Sequence, residues 1–257
     1  MADACEGCRS GEPLGFDFTM AFQPIVDTAE SIVWGYEALI RGTAGEGAGE
    51  ILSHVGPEQR YRFDQACRVK AIELASRLFP DENTPKLSIN FLPNAVYEPA
   101  ACLRKTLSAA RRCRFPQTAI MFEFTENEFV RDTDHLRAII AEYRKQGFVT
   151  AIDDFGAGFS GLALLADFQP DLIKLDMHLV RNIHMSRARQ AIVAGLAGIC
   201  GELDIALLAE GVESEAEFLV LKACGIRLFQ GYWFAHPAVE ALPPVSAAAI
   251  SAASIAA

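Results

Sequence analysis

Short apolar runs of strand length alternate along this chain with longer segments whose apolar positions recur at helical spacing. The strand-like runs are TMAFQPIV (19–26), SIVWGYEALI (31–40), KLSINFL (86–92), AIMFEFTE (119–126), FVTAIDDF (148–155), LIKLDMHL (172–179), IALLAEGV (205–212) and RLFQGYWFA (227–235). Amphipathic patterns cover 57–79, 93–114, 132–146, 181–202 and 213–224. Strands alternating with helices predict a parallel sheet. Eight strands in a chain of this length predict a closed barrel, with an open doubly wound sheet as the alternative. The first two runs are separated only by the turn around Asp27–Ser31, and so short a link makes a hairpin. The expected fold is therefore α/β, a TIM-like (β/α)8 barrel with one antiparallel strand near the N-terminus.

The barrel is expected over residues 16–242, after a flexible segment 1–15 and before an Ala/Ser-rich tail, 243–257, that is either a frayed helix or disordered. The Gly-rich stretch RGTAGEGAGE (41–50) reads as a mobile loop. Period-two alternation sorts the strand faces. Leu87 and Ile89 should face the helices, with Ser88 and Asn90 facing the barrel interior. Ile173 and Leu175 likewise oppose Lys174 and Asp176.

The strands end in polar groups. Glu37 closes the second, Asn90 the third, and Glu123 the fourth, with Glu126 beyond it. Asp153 and Asp154 close the fifth, Lys174 and Asp176 share the sixth, Glu210 and Glu213 follow the seventh, and Gln230 lies on the eighth. Barrel enzymes build their sites at these C-terminal strand ends. Taken one at a time, such acids are also good helix N-caps, but a set of them at successive strand ends points to one rim. Crowded carboxylates need cations, and hard oxygen donors suit Mg2+ or Mn2+. Two ions bridged by one carboxylate form an arrangement for phosphoester cleavage, and the adjacent pair Asp153–Asp154 fits it.

Composition narrows the classes. The 257 residues carry a net charge of −10, which argues against a nucleic-acid binder. The N-terminus has no signal-peptide pattern, and no apolar run reaches the roughly 20 residues of a membrane helix. Seven scattered cysteines suit buried thiols in a reducing cytoplasm. Cys5-x-x-Cys8 has no second pair to complete a zinc site and reads as part of a flexible tail.

The motifs YEALIR (36–41), FQPIVD (22–27), LSINFLP (87–93), FEFTEN (122–127), DDFGAGFSGL (153–162), IKLD (173–176), AEGVES (209–214) and QGYWFAHP (230–237) resemble, block by block, the EAL family of cyclic-di-GMP phosphodiesterases. The likeness covers residues 16–240. It implies hydrolysis of one phosphodiester of cyclic-di-GMP to linear 5′-pGpG, and a homodimer formed through helices near the DDFG loop. By the same resemblance Glu37, Asn90, Glu123 and Asp153 are ligands of a first metal ion, and Asp153 and Asp154 of a second. Lys174 holds the attacking water, and Glu210 is a general base or a water-mediated ligand. Glu126 anchors the loop after Asp154, Asp176, Glu213 and Gln230 are supporting positions, and Gln23, Leu39 and Arg41 are substrate contacts.

The chain departs from the family pattern in the loop, where Ala157, Phe159 and Gly161 replace threonine, tyrosine and serine. Met177 and His178 also stand in unusual places, and His178 reads as a packed or capping residue. Gly156, Gly158 and Gly161 match a dinucleotide fingerprint, but two acids beside them would repel a pyrophosphate, so they read instead as freeing a loop of unusual dihedrals. The competing functional class is a family member that binds cyclic-di-GMP or protein without turnover. Such members lack ligands that are all present here.

Overall fold

The structure, a computed structural model, describes residues 14–93, 96, 99–125, 133–158 and 161–255. The strands β1 (Thr19–Asp27) and β2 (Ile32–Arg41) form the expected hairpin. Next come β3 (Lys86–Asn90), β4 (Ile120–Thr125), β5 (Val149–Phe155), β6 (Leu172–Leu175), β7 (Ala206–Ala209) and β8 (Leu228–Phe229), each parallel to its predecessor from β2 onward. β8 pairs antiparallel with β1 through Val26–Phe229 and Asp27–Leu228, which closes an eight-stranded ring. β1 is thus the antiparallel strand, opposed to both neighbours. A short β9 (Ala238–Val239), not foreseen from the pattern, bonds to β1 at Ala21 and Phe22.

The helices between strands are α1 (Ala48–Ser53), α2 (Arg60–Leu78), α3 (Pro99–Cys102), α4 (Arg104–Arg112), α5 (Thr133–Lys145), α6 (Gly161–Asp167), α7 (Met177–Val180), α8 (Arg187–Glu202) and α9 (Glu215–Ala223), and α10 (Ala247–Ile255) follows β9. None is long and apolar enough to cross a membrane among the described residues.

Alternation along the strands builds two cores. Leu87, Ile89, Phe122, Ile152, Ile173 and Leu175 point outward into the main core between ring and helices. Ile25, Met121, Ala151, Leu172, Leu208 and Leu228 point inward and fill the barrel. Two residues farther toward the mouth, on β4, β5 and β6 or just after β7 and β8, stand Glu123, Asp153, Lys174, Glu210 and Gln230. β1 runs the other way, so its equivalent is Gln23, two residues earlier. An apolar plug therefore lies directly beneath a polar layer, the outcome that period two requires in a small barrel.

Some boundaries differ from the pattern. Glu37 does not end β2. It pairs with Gln23 in mid-strand, because the β1–β2 hairpin extends past the rim to Arg41. β6 stops at Leu175, so Asp176 does not share a strand face with Lys174. It caps α7 instead, accepting from the His178 amide at 2.8 Å. β8 is only two residues long, and Gln230 follows it. The Gly-rich stretch already contains the start of α1, and the Ala/Ser tail forms α10 with Ala249 and Ala252 buried. The pattern over 93–114 divides into α3 and α4, and α8 starts at Arg187 rather than 181. Glu126, Cys5, Cys8, Phe159 and Ser160 lie outside the described residues. The five described cysteines are free, and Cys67, Cys102 and Cys200 are buried.

Candidate active site

The polar layer converges on Lys174. Its Nζ lies 2.6 Å from Glu210 Oε1, 3.0 Å from Glu123 Oε2, 3.1 Å from Asp153 Oδ1 and 3.6 Å from Glu37 Oε2, and the side chain is 1% exposed. Four strands thus aim carboxylates at one ammonium, and Lys174 makes none of its ion pairs with Asp176. Asn90 Nδ2 donates to Glu37 Oε1 at 3.1 Å and to Glu123 Oε1 at 2.9 Å. Ser88 Oγ donates to Glu123 Oε2 at 2.5 Å. Gln230 Nε2 donates to Glu37 Oε2 at 2.6 Å and to Gln23 Oε1 at 3.1 Å, and Gln23 Nε2 donates to the Ala235 carbonyl. Glu37 and Glu123 are oriented by neutral side-chain donors from other strands, so their remaining lone pairs are directed rather than free to rotate.

One ammonium does not balance this set. Burial, with the neighbouring carboxylates adding to it, holds Glu123 and Glu210 well above the ordinary carboxylate range despite Lys174. Burial raises Glu37 too, but the Lys174 charge and the bonds to its carboxylate outweigh it, leaving Glu37 below its usual value. Burial works against the Lys174 charge, yet Asp153, Glu123, Glu210 and Glu37 together raise its pKa well above that of a free lysine. Asp154 is pushed up to about 6 by partial burial and then by Asp153 and Asp176. Its backbone sits at φ +53°, in the left-handed region, while Gly156 two residues on has φ +96°, a conformation that side chains rarely adopt, and a Cβ there would press on Leu179 Cδ1 at 2.5 Å. The glycine reading of this loop holds at Gly156, and the strained aspartate beside it turns the chain off the rim.

Two carboxylate triads have oxygens within 4.8 Å of one another: Glu37–Glu123–Asp153, and Asp153–Asp154–Glu210. Asp153 belongs to both. The donors are hard oxygens carrying excess negative charge, which fits divalent ions of the Mg2+, Mn2+ and Ca2+ class. The residues therefore fit such a group.

A stability test follows from Asp154. Its carboxyl is protonated more readily in the folded chain (pKa about 6) than in the unfolded one (3.8), so its contribution is full below about pH 4 and is lost as pH rises to about 6. In chelator, melting temperature should fall over that window, and Asp154→Asn should flatten the fall. A thermal-melt series showing the same pH profile for variant and wild type would contradict this.

Above the triads a cavity of about 380 Å³ opens to solvent. A family model described as EAL domain matches residues 14–237. The chain belongs to the EAL domain family. Curated relatives include the blue light- and temperature-regulated antirepressor BluF of Escherichia coli, 31% identical over 226 residues, covering 88% of this chain and 56% of BluF. Cyclic di-GMP phosphodiesterase PA2567 of Pseudomonas aeruginosa is 28% identical over 227 residues, 86% of this chain and 38% of that protein. The chain thus spans about half or less of these relatives' lengths. Among solved structures, a standalone EAL protein of Vibrio cholerae in its c-di-GMP-bound form is 54% identical, with TM-score 0.88, covering 93% of this chain and 99% of that one. The manganese/cy-diGMP complex of Klebsiella pneumoniae BlrP1 is 38% identical, with TM-score 0.82, covering 90% of this chain and 57% of that one.

Within this EAL domain, Glu37, Asn90, Glu123, Asp153, Lys174, Glu210, Gln23 and Gln230 come together in one bonded layer, with Asp154 beside it. Asp176 and Glu213 also line the cavity. Leu39 and Arg41 stand apart at the outer end of β2. They do not line this cavity, and Arg41 Nη1 donates to the adjacent Ile40 carbonyl at 2.6 Å. His178 is exposed and pairs with the capping Asp176 through Nδ1 at 2.5 Å.

Sequence reasoning missed Met177, Arg181, Gly211, Gly231 and Tyr232, which also line the cavity. It also missed the buried pair Asp64–Arg68 in α2. Arg68 Nη2 lies 2.6 Å from Asp64 Oδ2, Arg68 Nη1 donates to Tyr143 Oη, and Asp64 Oδ1 accepts from the Leu92 amide just after Asn90. The i,i+4 spacing of opposite charges was visible, but it reads as a surface pair until the strands cover it.

Proposed function

We propose that this EAL domain hydrolyses one phosphodiester bond of cyclic-di-GMP to linear 5′-pGpG, with two divalent ions, Mg2+ or Mn2+. The observation that carries this reading is the pair of carboxylate triads sharing Asp153 around a buried lysine. A phosphodiesterase among the relatives and c-di-GMP-bound structures of similar chains support it.

Glu37, Asn90, Glu123 and Asp153 would hold one ion, and Asp153 with Asp154 the other. When bound, such a pair polarises a phosphate and acidifies water between the ions. The chain's own groups do the rest. The Lys174 ammonium, fixed by four carboxylates, orients the attacking water and favours its deprotonated form. Glu210, held 2.6 Å from Lys174 Nζ through Oε1, would accept the proton on its other carboxylate oxygen. Gln230 and Gln23 keep Glu37 turned toward the floor. Glu126 is assigned the loop-anchor role by its place in the motif alone.

The assay is pGpG release with Mg2+ or Mn2+, and its loss in chelator. Binding of cyclic-di-GMP without product would favour the second reading, a receptor or protein-binding module, to which the antirepressor BluF gives weight.

Dimerisation is part of the proposal. α8 carries no charge from Ala191 to Gly201, and Ile192 and Ile199 are about half exposed on it. A Cβ at Gly195 or Gly198 would meet nothing within 4 Å, so a second copy's helix could approach closely. Ile199→Glu should convert a dimer to a monomer in light scattering. An unchanged mass would rule out this face.

A further inference from the structure

We infer that Arg181 is a further substrate-binding residue of this site, contacting a phosphate of the bound dinucleotide away from the carboxylate floor. This rests on the proposed cyclic-di-GMP activity. The substrate would carry two phosphates, and a pair of ions on the floor would serve one of them. The cavity is lined by six carboxylates, Glu37, Asp153, Asp154, Asp176, Glu210 and Glu213, and Arg181 is the one cationic side chain lining it among the described residues. Arg41, which the resemblance offers as a substrate contact, does not line it.

The position of Arg181 is built rather than incidental. The buried Glu217 carboxylate accepts from the Asn182 amide at 2.8 Å through Oε1 and from the Glu213 amide at 3.0 Å through Oε2. One side chain thus ties the loop after α7 to the loop after β7. The guanidinium of Arg189 donates to the Arg181 carbonyl, which fixes the backbone again. Across this clamp, Arg181 Nη2 donates to Glu213 Oε1. A guanidinium has five donors, and Glu213 occupies one of its terminal nitrogens, so the fork keeps donors for an anion in the cavity. Both side chains are about 45% exposed, so the pair contributes little to stability by itself. Its consequence is to hold the fork at the mouth before substrate arrives, which lowers the ordering cost of binding.

The test is steady-state kinetics of the full chain with Mn2+, with Arg181→Ala, Arg181→Lys and Arg181→Gln against wild type. A phosphate contact draws on both the positive charge and the planar fork, and lysine keeps only the charge. Arg181→Ala and Arg181→Gln should each raise KM about tenfold with kcat within about twofold, and Arg181→Lys should fall between them and wild type. Equilibrium binding of cyclic-di-GMP in Ca2+ should weaken by the same factor. An unchanged KM in Arg181→Ala would leave Arg181 a surface ion pair and overturn the inference. A Gln variant near wild type with a weak Lys variant would overturn the phosphate assignment in favour of base reading. Absence of both turnover and binding in wild type would instead strike the proposed function, so the two failures are separable.

Discussion

Asp153→Asn should lower turnover by about 10³-fold or more while leaving the fold intact. Asp153 is the one side chain common to both triads, so its loss weakens both ion positions at once. The amide has the same shape, and its oxygen can still accept from the Asp154 amide, as Asp153 Oδ1 does at 2.9 Å. Lys174 loses one carboxylate of four. Removing a negative charge from a crowded cluster relieves repulsion in the ion-free protein, so its melting temperature should hold or rise. Calorimetric titration with Mn2+ should show weakened binding. Near wild-type turnover, or undiminished Mn2+ affinity, would refute the assignment of Asp153 as the shared ligand.

Lys174→Met should also cost at least about 10³-fold in turnover, and it should destabilise where Asp153→Asn does not. The substitution leaves Glu37, Glu123, Asp153 and Glu210 facing one another without the ammonium among them. Breaking a buried charge set by removing one partner costs about 3–5 kcal/mol. The sign with pH is fixed by linkage. Without the ammonium the carboxylates bind protons more tightly in the folded chain than in the unfolded one, so stability falls as pH rises above the ordinary carboxylate range. The deficit against wild type in chelator should therefore be larger at pH 8 than at pH 5. Saturating Mn2+ should restore part of the melting temperature but not the turnover, since an ion replaces the charge and not the donor to water. A variant as stable as wild type at pH 8 in chelator, or one that regains turnover with Mn2+, would show that Lys174 has neither role.

Most of the barrel was legible because its two periods are local. Strand runs with apolar and polar residues alternating, set between amphipathic helices, left few topologies open, and the short link at Asp27–Ser31 fixed the antiparallel strand. The same alternation placed Lys174 with the interior set and Ile173 and Leu175 with the helices. It failed at Asp176, where β6 ends one residue earlier and the chain turns to cap α7. It also failed at Glu37, which the hairpin extends beyond. Strand ends depend on pairing with the neighbouring strand, and that information is not in the run itself. β9 was illegible for the same reason, since two residues gain their structure from β1 alone.

By itself the sequence determined which residues are acidic, that they recur at or near successive strand ends, and, Asp176 apart, which of them share the interior face. Only the tertiary structure decided that four carboxylates meet one ammonium within 3.6 Å, that Asp153 is shared by two triads, and that Arg181 reaches the mouth while Arg41 turns to its own backbone. The reason is physical. Alternation and propensity act over a few neighbouring residues, whereas closing the ring brings together side chains up to about two hundred positions apart, and their charges interact only once water has been excluded between them.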